Sequence, residues 1–378
     1  MGSLSRKTVA WAAGAALVVG GGAAGIVIAV QGSGSGGGGS GPDGTTAARA
    51  AAARPAPLRV VSISPASGAR SVNGAGDITV TYNQPLPAAG PLPALSPAIA
   101  GSWRRAGDTA VFKPATGFPA GTTVKVTAPE AGAKPESSSF KTGAYSTVRL
   151  QEILAQLGYL PLTWTPSAGK AAGATAGAGA AEQLAAAYSP PAGAFHWQPG
   201  YPAQLRSFWS QGKPNTLDRG AITGFEADHG LPTDGTAGSK VWKALLTAAA
   251  EGKRNPHGYS YAIASERLPE TLTIWHNGHK VFSSPANTGI GVAPTATGTY
   301  AVYEKLPFQI MQGTNPDGSH YSDPVSWVSY FNGGDAVHYF SRGSYGWPQS
   351  LGCVELPYTA AKNAYPYLPY GTLVTVSA

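Results

Sequence analysis

Cys353 is the only cysteine among 378 residues, and His338 stands fifteen positions before it (353 − 338 = 15), in the stretch DAVHYFSRGSYGWPQSLGCVELP over 335–357. A thiol attacks a carbonyl as the thiolate, and an ordinary pKa of about 8.5 leaves only a few per cent ionised at neutral pH. Such chemistry needs an imidazole to take the proton and a third group to orient that ring. It also needs backbone N–H groups to meet the oxyanion that develops. The stretch can supply these parts. DAVHYF reads as a strand that ends at His338, and Gly352 lets the backbone approach a substrate without a side chain in the way. Ser350-Leu351-Gly352-Cys353 reads as a turn that would aim the amides of Gly352 and Cys353 at one oxygen. The spacing alone leaves a second reading open, because a lone cysteine often serves as a small buried hydrophobe.

The compartment bears on that choice. MGSLSRKTVAWAAGAALVVGGGAAGIVIAVQ places Arg6 and Lys7 before an uncharged apolar run from Thr8 to Val30, 23 residues long (30 − 8 + 1). A secretory signal has an apolar region of about 7–15 residues, whereas a membrane-crossing helix needs about 20. The length favours an uncleaved anchor over a cleaved signal, with residues 1–7 cytoplasmic by the charge rule. Either way the remainder is exported to the cell envelope, tethered to the plasma membrane or, if 8–30 is cleaved, secreted. Cysteines of exported proteins usually pair as disulfides, so an unpaired one is worth flagging. The net charge of +7 is spread thinly, with no clustered basic run, so nucleic acid is not an expected partner.

The elements that must position these residues follow from texture. Residues 31–57, rich in Gly, Ser, Ala and Pro, read as a flexible linker. Residues 58–143 alternate apolar and polar positions between turn signals, as in DITVTYNQPL and TAVFKPATGFPAGTTVKVTAP, which predicts an antiparallel β-sandwich. In 144–255, Val148, Leu150, Ile153, Leu154 and Leu157 recur at helical spacing before Gly158, and Ile222, Phe225, Val241, Trp242 and Leu245 mark further helix. Between them TWTPSAGKAAGATAGAGAAEQLAAAYSPPAG reads as a low-complexity insertion. Residues 256–378 are mostly β. Leu272 and Ile274 alternate before an Asn277-Gly278 turn, Val281 returns the chain, and a short helix after Leu356 is ended by Pro366.

Three resemblances attach to these segments. SPASGARSV…ITVTYNQPL resembles bacterial immunoglobulin-like modules. LQEILAQLGYLP…AITGFEADHGLPTDGTAGSKVWKAL is similar to the small helical peptidoglycan-binding module of cell-wall enzymes, which implies glycan strands as a partner. AVH…GWPQSLGCVEL, preceded by APTATGTYAVYEK and GTNPDGSHYSDPVSWVSYF, resembles the bacterial L,D-transpeptidase domain. The expected fold class is therefore multidomain: an immunoglobulin-like β-sandwich, a small α-helical module, and a mostly β catalytic domain of L,D-transpeptidase type.

That last resemblance implies cross-linking of peptidoglycan stem peptides, donor and acceptor, through a cysteine thioester with release of D-Ala and formation of a 3→3 link. It implies Cys353 as nucleophile and His338 as base, with the backbone carbonyl of Tyr339 orienting the ring. The amides of Gly352 and Cys353 would form the oxyanion hole. Tyr321, in the segment that forms a lid in family members, would contact substrate beside Ser350 and Leu351. Carbapenem-type inhibitors are expected to acylate the thiol, and no cofactor or metal is implied. The sequence departs from the family pattern twice. Leu351 stands where histidine is usual, and Glu355 stands where Arg or Asn is common. A carboxylate there raises the thiol pKa unless it points away.

Other readings compete. His276 and His279 in HNGH, with His320 and His338, invite a zinc site, but HNGH spans a hairpin turn and no H-E-x-x-H motif occurs. An L,D-carboxypeptidase, with water resolving the thioester, and a catalytically inactive wall-binding scaffold are the alternatives to the transpeptidase.

Overall fold

The structure, a computed structural model, describes residues 56–167 and 175–378. The expected cytoplasmic N-terminus, anchor and nearly all of the linker lie outside these residues. Among the described residues no helix is long and apolar enough to cross a membrane.

Seven strands come first: β1 (Val60–Ser64), β2 (Ile78–Tyr82), β3 (Ala94–Ser96), β4 (Gly101–Ala106), β5 (Thr109–Pro114), β6 (Thr123–Ala128) and β7 (Glu136–Lys141). They form two antiparallel sheets, β1-β2-β5-β4 and β3-β6-β7. The alternation read in the sequence is the reason. Ile78, Val80 and Tyr82 of the first sheet are buried, as are Val124, Val126 and Ala128 of the second, and the intervening residues face outward.

The middle of the chain contains α1 (Thr147–Gln156), β8 (Leu162–Pro166), α2 (Ala180–Tyr188), β9 (Gly193–Trp197), a single turn α3 (Ala203–Arg206), α4 (Thr216–Asp228) and α5 (Ser239–Glu251). Helix α1 buries Leu150, Ile153 and Leu154 and is followed by Gly158 at φ +83°, the left-handed position that stops a helix. The described part of the stretch read as a low-complexity insertion, which excludes residues 168–174, is more ordered than its composition suggests. It carries α2, whose Leu184 and Ala187 are buried, and β8 and β9 pair across it. Alanine has the highest helix propensity and needs little space, so an Ala-rich run packs as a helix once one leucine anchors it.

The last third begins with β10 (Ser260–Ser265), β11 (Thr271–His276) and β12 (His279–Pro285), with Asn277 and Gly278 at positive φ in the tight turn between the last two. It continues with β13 (Gly298–Ala301), β14 (Glu304–Thr314), β15 (His320–Asn332), β16 (Asp335–Tyr339), β17 (Val354–Leu356), α6 (Tyr358–Ala364) and β18 (Leu373–Ser377). Two sheets result, β12-β11-β10-β18-β13 and β14-β15-β16-β17.

Pleating divides the first sheet's residues between two cores. Ala262 and Ala264 of β10 join Leu272, Ile274, Val374 and Val376 against Val337, Val354 and Leu356 of the second sheet. Tyr261, just before the alanines, and Leu373 face the opposite way, into a core shared with Leu154, Leu157 and Phe225 of the helical region. One sheet is thus covered by helices on one side and by the second sheet on the other. The close approach of α4 needs glycine. A β-carbon on Gly220 would lie 2.7 Å from the carbonyl oxygen of Gly371.

Candidate active site

The parallel pairing of β16 with β17 sets the site. Val337 is in register with Val354, His338 with Glu355, and Tyr339 with Leu356. Register partners in a parallel pair share a face, and neighbours along a strand alternate. Val337, Val354 and Leu356 therefore enter the domain core, and the other face carries His338, Glu355 and, one step before the ladder, Cys353 beside Ala336. The long β14–β15 hairpin continues the same sheet, β15 pairing with β16. Its Val325, Val328 and Met311 form an apolar cluster with Ala336, against which Cys353 packs half-buried. A bulge in β15 at Trp327, φ +62°, shifts the register between Ser326 and Ser329 beside the site.

His338 is buried, and its Nδ1 lies 2.9 Å from the carbonyl oxygen of Tyr339. A carbonyl only accepts, so Nδ1 donates and the neutral ring keeps its lone pair on Nε2. Burial lowers the imidazole pKa, against smaller opposing effects of the Tyr339 carbonyl and the Glu355 carboxylate, which keeps the ring neutral. Burial also pushes the Cys353 thiol up to about 12, with Asp335 and Glu355 adding to the rise and the Ala336 amide opposing it. The thiol makes a weak donor contact, 3.6 Å, to the carbonyl oxygen of Gly334. Both groups are thus neutral at rest, the thiol protonated and the imidazole with its Nε2 lone pair free.

The turn before the cysteine is tightly bonded. Ser350 Oγ, fully buried, donates to the carbonyl of Cys353 at 2.5 Å and accepts the Gly352 amide at 3.2 Å. The sequence reading gave the Gly352 amide to an oxyanion hole. In this conformation that amide is committed to Ser350, because the turn closes on the serine hydroxyl. Thr288 holds the turn from outside, its carbonyl accepting the amides of Gln349 and Ser350. The carboxylate of Glu270 fixes Thr288 in turn, accepting from its amide at 2.6 Å and its hydroxyl at 2.8 Å.

Tyr321 stands on β15, and burial, then the nearby Cys353, raises its phenol pKa. Leu351 is exposed. Of the sequence-predicted residues, His338, Tyr339, Ser350, Leu351, Gly352 and Cys353 come together on β16 and the loop that leads into β17, with Tyr321 on β15 near Cys353. His276 and His279 sit at the β11–β12 turn, and His320 lies at the tip of the long hairpin.

Glu355 does not point away from the thiol; it is paired instead. Arg342 Nε and one terminal nitrogen each donate to its carboxylate at 2.7 Å. Sequence reasoning missed Arg342, and it missed Asp335, whose carboxylate accepts the amide of Ala296 at 3.2 Å and lies against Gly352. The arginine precedes its partner by thirteen residues across an irregular loop, a spacing that carries no periodic signal. The pleat would set Asp335 on the face of Val337 and not on that of His338, so alternation gave no signal for it either.

Residues 260–376 match the sequence model of the L,D-transpeptidase catalytic domain, and residues 54–143 match that of the bacterial Ig-like domain. No curated protein matches the chain significantly. Among solved structures the chain is similar to an L,D-transpeptidase from Mycobacterium smegmatis at 18% identity, over 85% of this chain and 100% of that one, with a TM-score of 0.30. It is similar at 17% identity to L,D-transpeptidase 3 from Mycobacterium tuberculosis, solved with a faropenem-derived adduct, over 84% of this chain and 98% of that one, TM-score 0.30. The catalytic domain of an E. faecium L,D-transpeptidase is 23% identical over 31% of this chain and 95% of that one, TM-score 0.29.

Proposed function

From an L,D-transpeptidase catalytic domain over residues 260–376, behind a bacterial Ig-like domain, we propose that this chain forms 3→3 cross-links in peptidoglycan with Cys353 as the nucleophile. The observation that carries the reading is the β16–β17 register, which sets Cys353 and His338 on one face while the Tyr339 carbonyl holds the ring with its lone pair on Nε2.

The donor is a stem tetrapeptide. As the sulfur of Cys353 attacks the carbonyl of the third residue, the thiol proton passes to Nε2 of His338. The carbonyl oxygen becomes an oxyanion, met by the Cys353 amide and by the Gly352 amide once Ser350 releases it. Collapse breaks the bond to D-Ala, whose amine takes the proton from His338, and a thioester remains on Cys353. The side-chain amine of a neighbouring stem then attacks the thioester, gives a proton to His338, and leaves as the amide, and the proton returns to the sulfur. Tyr321, on β15, contacts the substrate. The helical region supplies a surface for glycan strands, and residues 8–30 tether the chain to the membrane.

The test is incubation of the full chain with tetrapeptide muropeptides, products read by mass spectrometry. Cross-linked dimer with free D-Ala supports the proposal, and Cys353→Ala should abolish both. Tripeptide without dimer would assign an L,D-carboxypeptidase, and unchanged substrate a scaffold. Acylation of Cys353 by a carbapenem, seen as added intact mass, tests the nucleophile alone.

A further inference from the structure

Resting on the acyl-transfer reading above, we propose that Arg342 and Glu355 are a positioning pair that clamps the loop carrying Cys353 and cancels a carboxylate facing the reacting groups. Glu355 is in register with His338 and shares its face of the sheet, and its side chain is only 5% exposed. An unpaired carboxylate so placed would oppose formation of a thiolate next to it. Arg342 meets it with two parallel 2.7 Å bonds, the bidentate geometry that fixes direction as well as distance.

The same guanidinium does more than neutralise. Its Nη2 also donates to the carbonyl of Gln349 at 2.9 Å, one residue before Ser350, and its Cζ lies 4.6 Å from the centre of the Phe340 ring. One side chain therefore joins the start of the loop, its end and strand β17. On the other side the backbone of Glu355 exchanges two hydrogen bonds with Asn287, whose side-chain oxygen accepts the Gly346 amide. The loop from 340 to 353 is held from both sides at the residue pair 342 and 355, and the turn that presents the sulfur inherits that rigidity.

Other charged groups frame the pair. Asp323 of β15 and Tyr345 of the loop act on Arg342, and Asp335 of β16 together with the phenols of Tyr321 and Tyr330 borders the thiol. They are common to every variant below, so they cancel in the comparison.

The experiment measures two rates on the full chain: alkylation of Cys353 by iodoacetamide at pH 9, which follows the thiolate fraction, and acylation by imipenem. Arg342→Gln strands the carboxylate, and alkylation should slow about threefold or more, with acylation falling about tenfold or more. Glu355→Gln leaves the cation beside the site, keeps an acceptor for it, and should speed alkylation. The double variant Arg342→Gln/Glu355→Gln should return alkylation to near the wild-type rate while acylation stays below it, since the clamp is gone. Shifts of the same sign in the two single variants, or none, would overturn the proposal, because a merely structural role lowers thermal stability without separating them by charge. Glu355→Gln keeps the test alive if Arg342→Gln does not fold. If wild-type enzyme is not acylated yet the alkylation shifts appear, the functional reading fails and the pair's effect on the thiol stands.

Discussion

A β-carbon on Gly352 would stand 2.6 Å from Oδ1 of Asp335, so the carboxylate occupies the space where any other residue would put its side chain. Gly352 also has φ +116°, a conformation that costs other residues about 1–3 kcal/mol. Two independent constraints thus demand glycine immediately before Cys353. Gly352→Ala should lose tenfold or more of the imipenem acylation rate. Adding Asp335→Ala should recover only part, because it relieves the contact and leaves the backbone strain. Acylation undiminished in the single variant would show that this turn does not present the reacting sulfur.

The protonation states predict a pH profile. Burial lifts the Cys353 thiol to about 12 and lowers the His338 imidazole, so both are neutral at pH 7. Alkylation by iodoacetamide should therefore rise about tenfold per pH unit from pH 7 to 10, without a plateau, since the thiolate fraction rises in that proportion. A plateau below pH 8 would reveal a standing thiolate–imidazolium pair instead. His338→Ala should abolish acylation and preserve alkylation at pH 10, where hydroxide replaces the base.

Ser350 closes the turn through two backbone groups, the Cys353 carbonyl and the Gly352 amide. Ser350→Ala leaves both without that partner in a buried place, at a cost of about 1–3 kcal/mol. Urea unfolding should show a lower midpoint, with acylation slowed as the turn relaxes. An unchanged midpoint would mean that water takes over both contacts.

What the sequence made legible follows its periodic signals. The alternation of Ile78, Val80 and Tyr82 and the helical spacing of Leu150, Ile153 and Leu154 announce their elements because one face of each must leave water. His338 and Cys353 could be singled out in the sequence because few residue types do such chemistry, and the β16–β17 register sets both on one face. The Arg342–Glu355 contact was not, since it depends on the path of an irregular loop and on a register that only pairing of β16 with β17 creates. The order of α2 escaped for a related reason. Its Ala-rich composition matches a linker, and the partners that bury Leu184 and Ala187 come from elsewhere in the chain.

Helix α4 carries a pH dependence of stability into the same unit. Burial raises the carboxyl of Asp218 to about 7, and it raises that of Glu226 to about 7 with help from Asp234. Both side chains are buried, and Asp218 accepts from Gln151 at 2.9 Å. Unfolded carboxyls titrate near 4. Between about pH 4 and 7 the folded chain holds protons that the unfolded chain has released, so stability falls as pH rises through that window. The slope is about 1.4 kcal/mol per pH unit for each group, vanishing below about 4 and above about 7. His338 acts with the opposite sign. Its lowered pKa costs stability only as pH falls below the ordinary imidazole value. Urea unfolding of the full chain should therefore show a lower midpoint at pH 7.5 than at pH 5.5, and Asp218→Asn should flatten that difference by removing one of the two titrations. Because α4 packs Gly220 onto Gly371, beside the β18 strand of the catalytic sheet, acylation in wild type should lose heat resistance over the same pH interval. An Asp218→Asn midpoint that tracks wild type at both pH values would remove the carboxyl from this account.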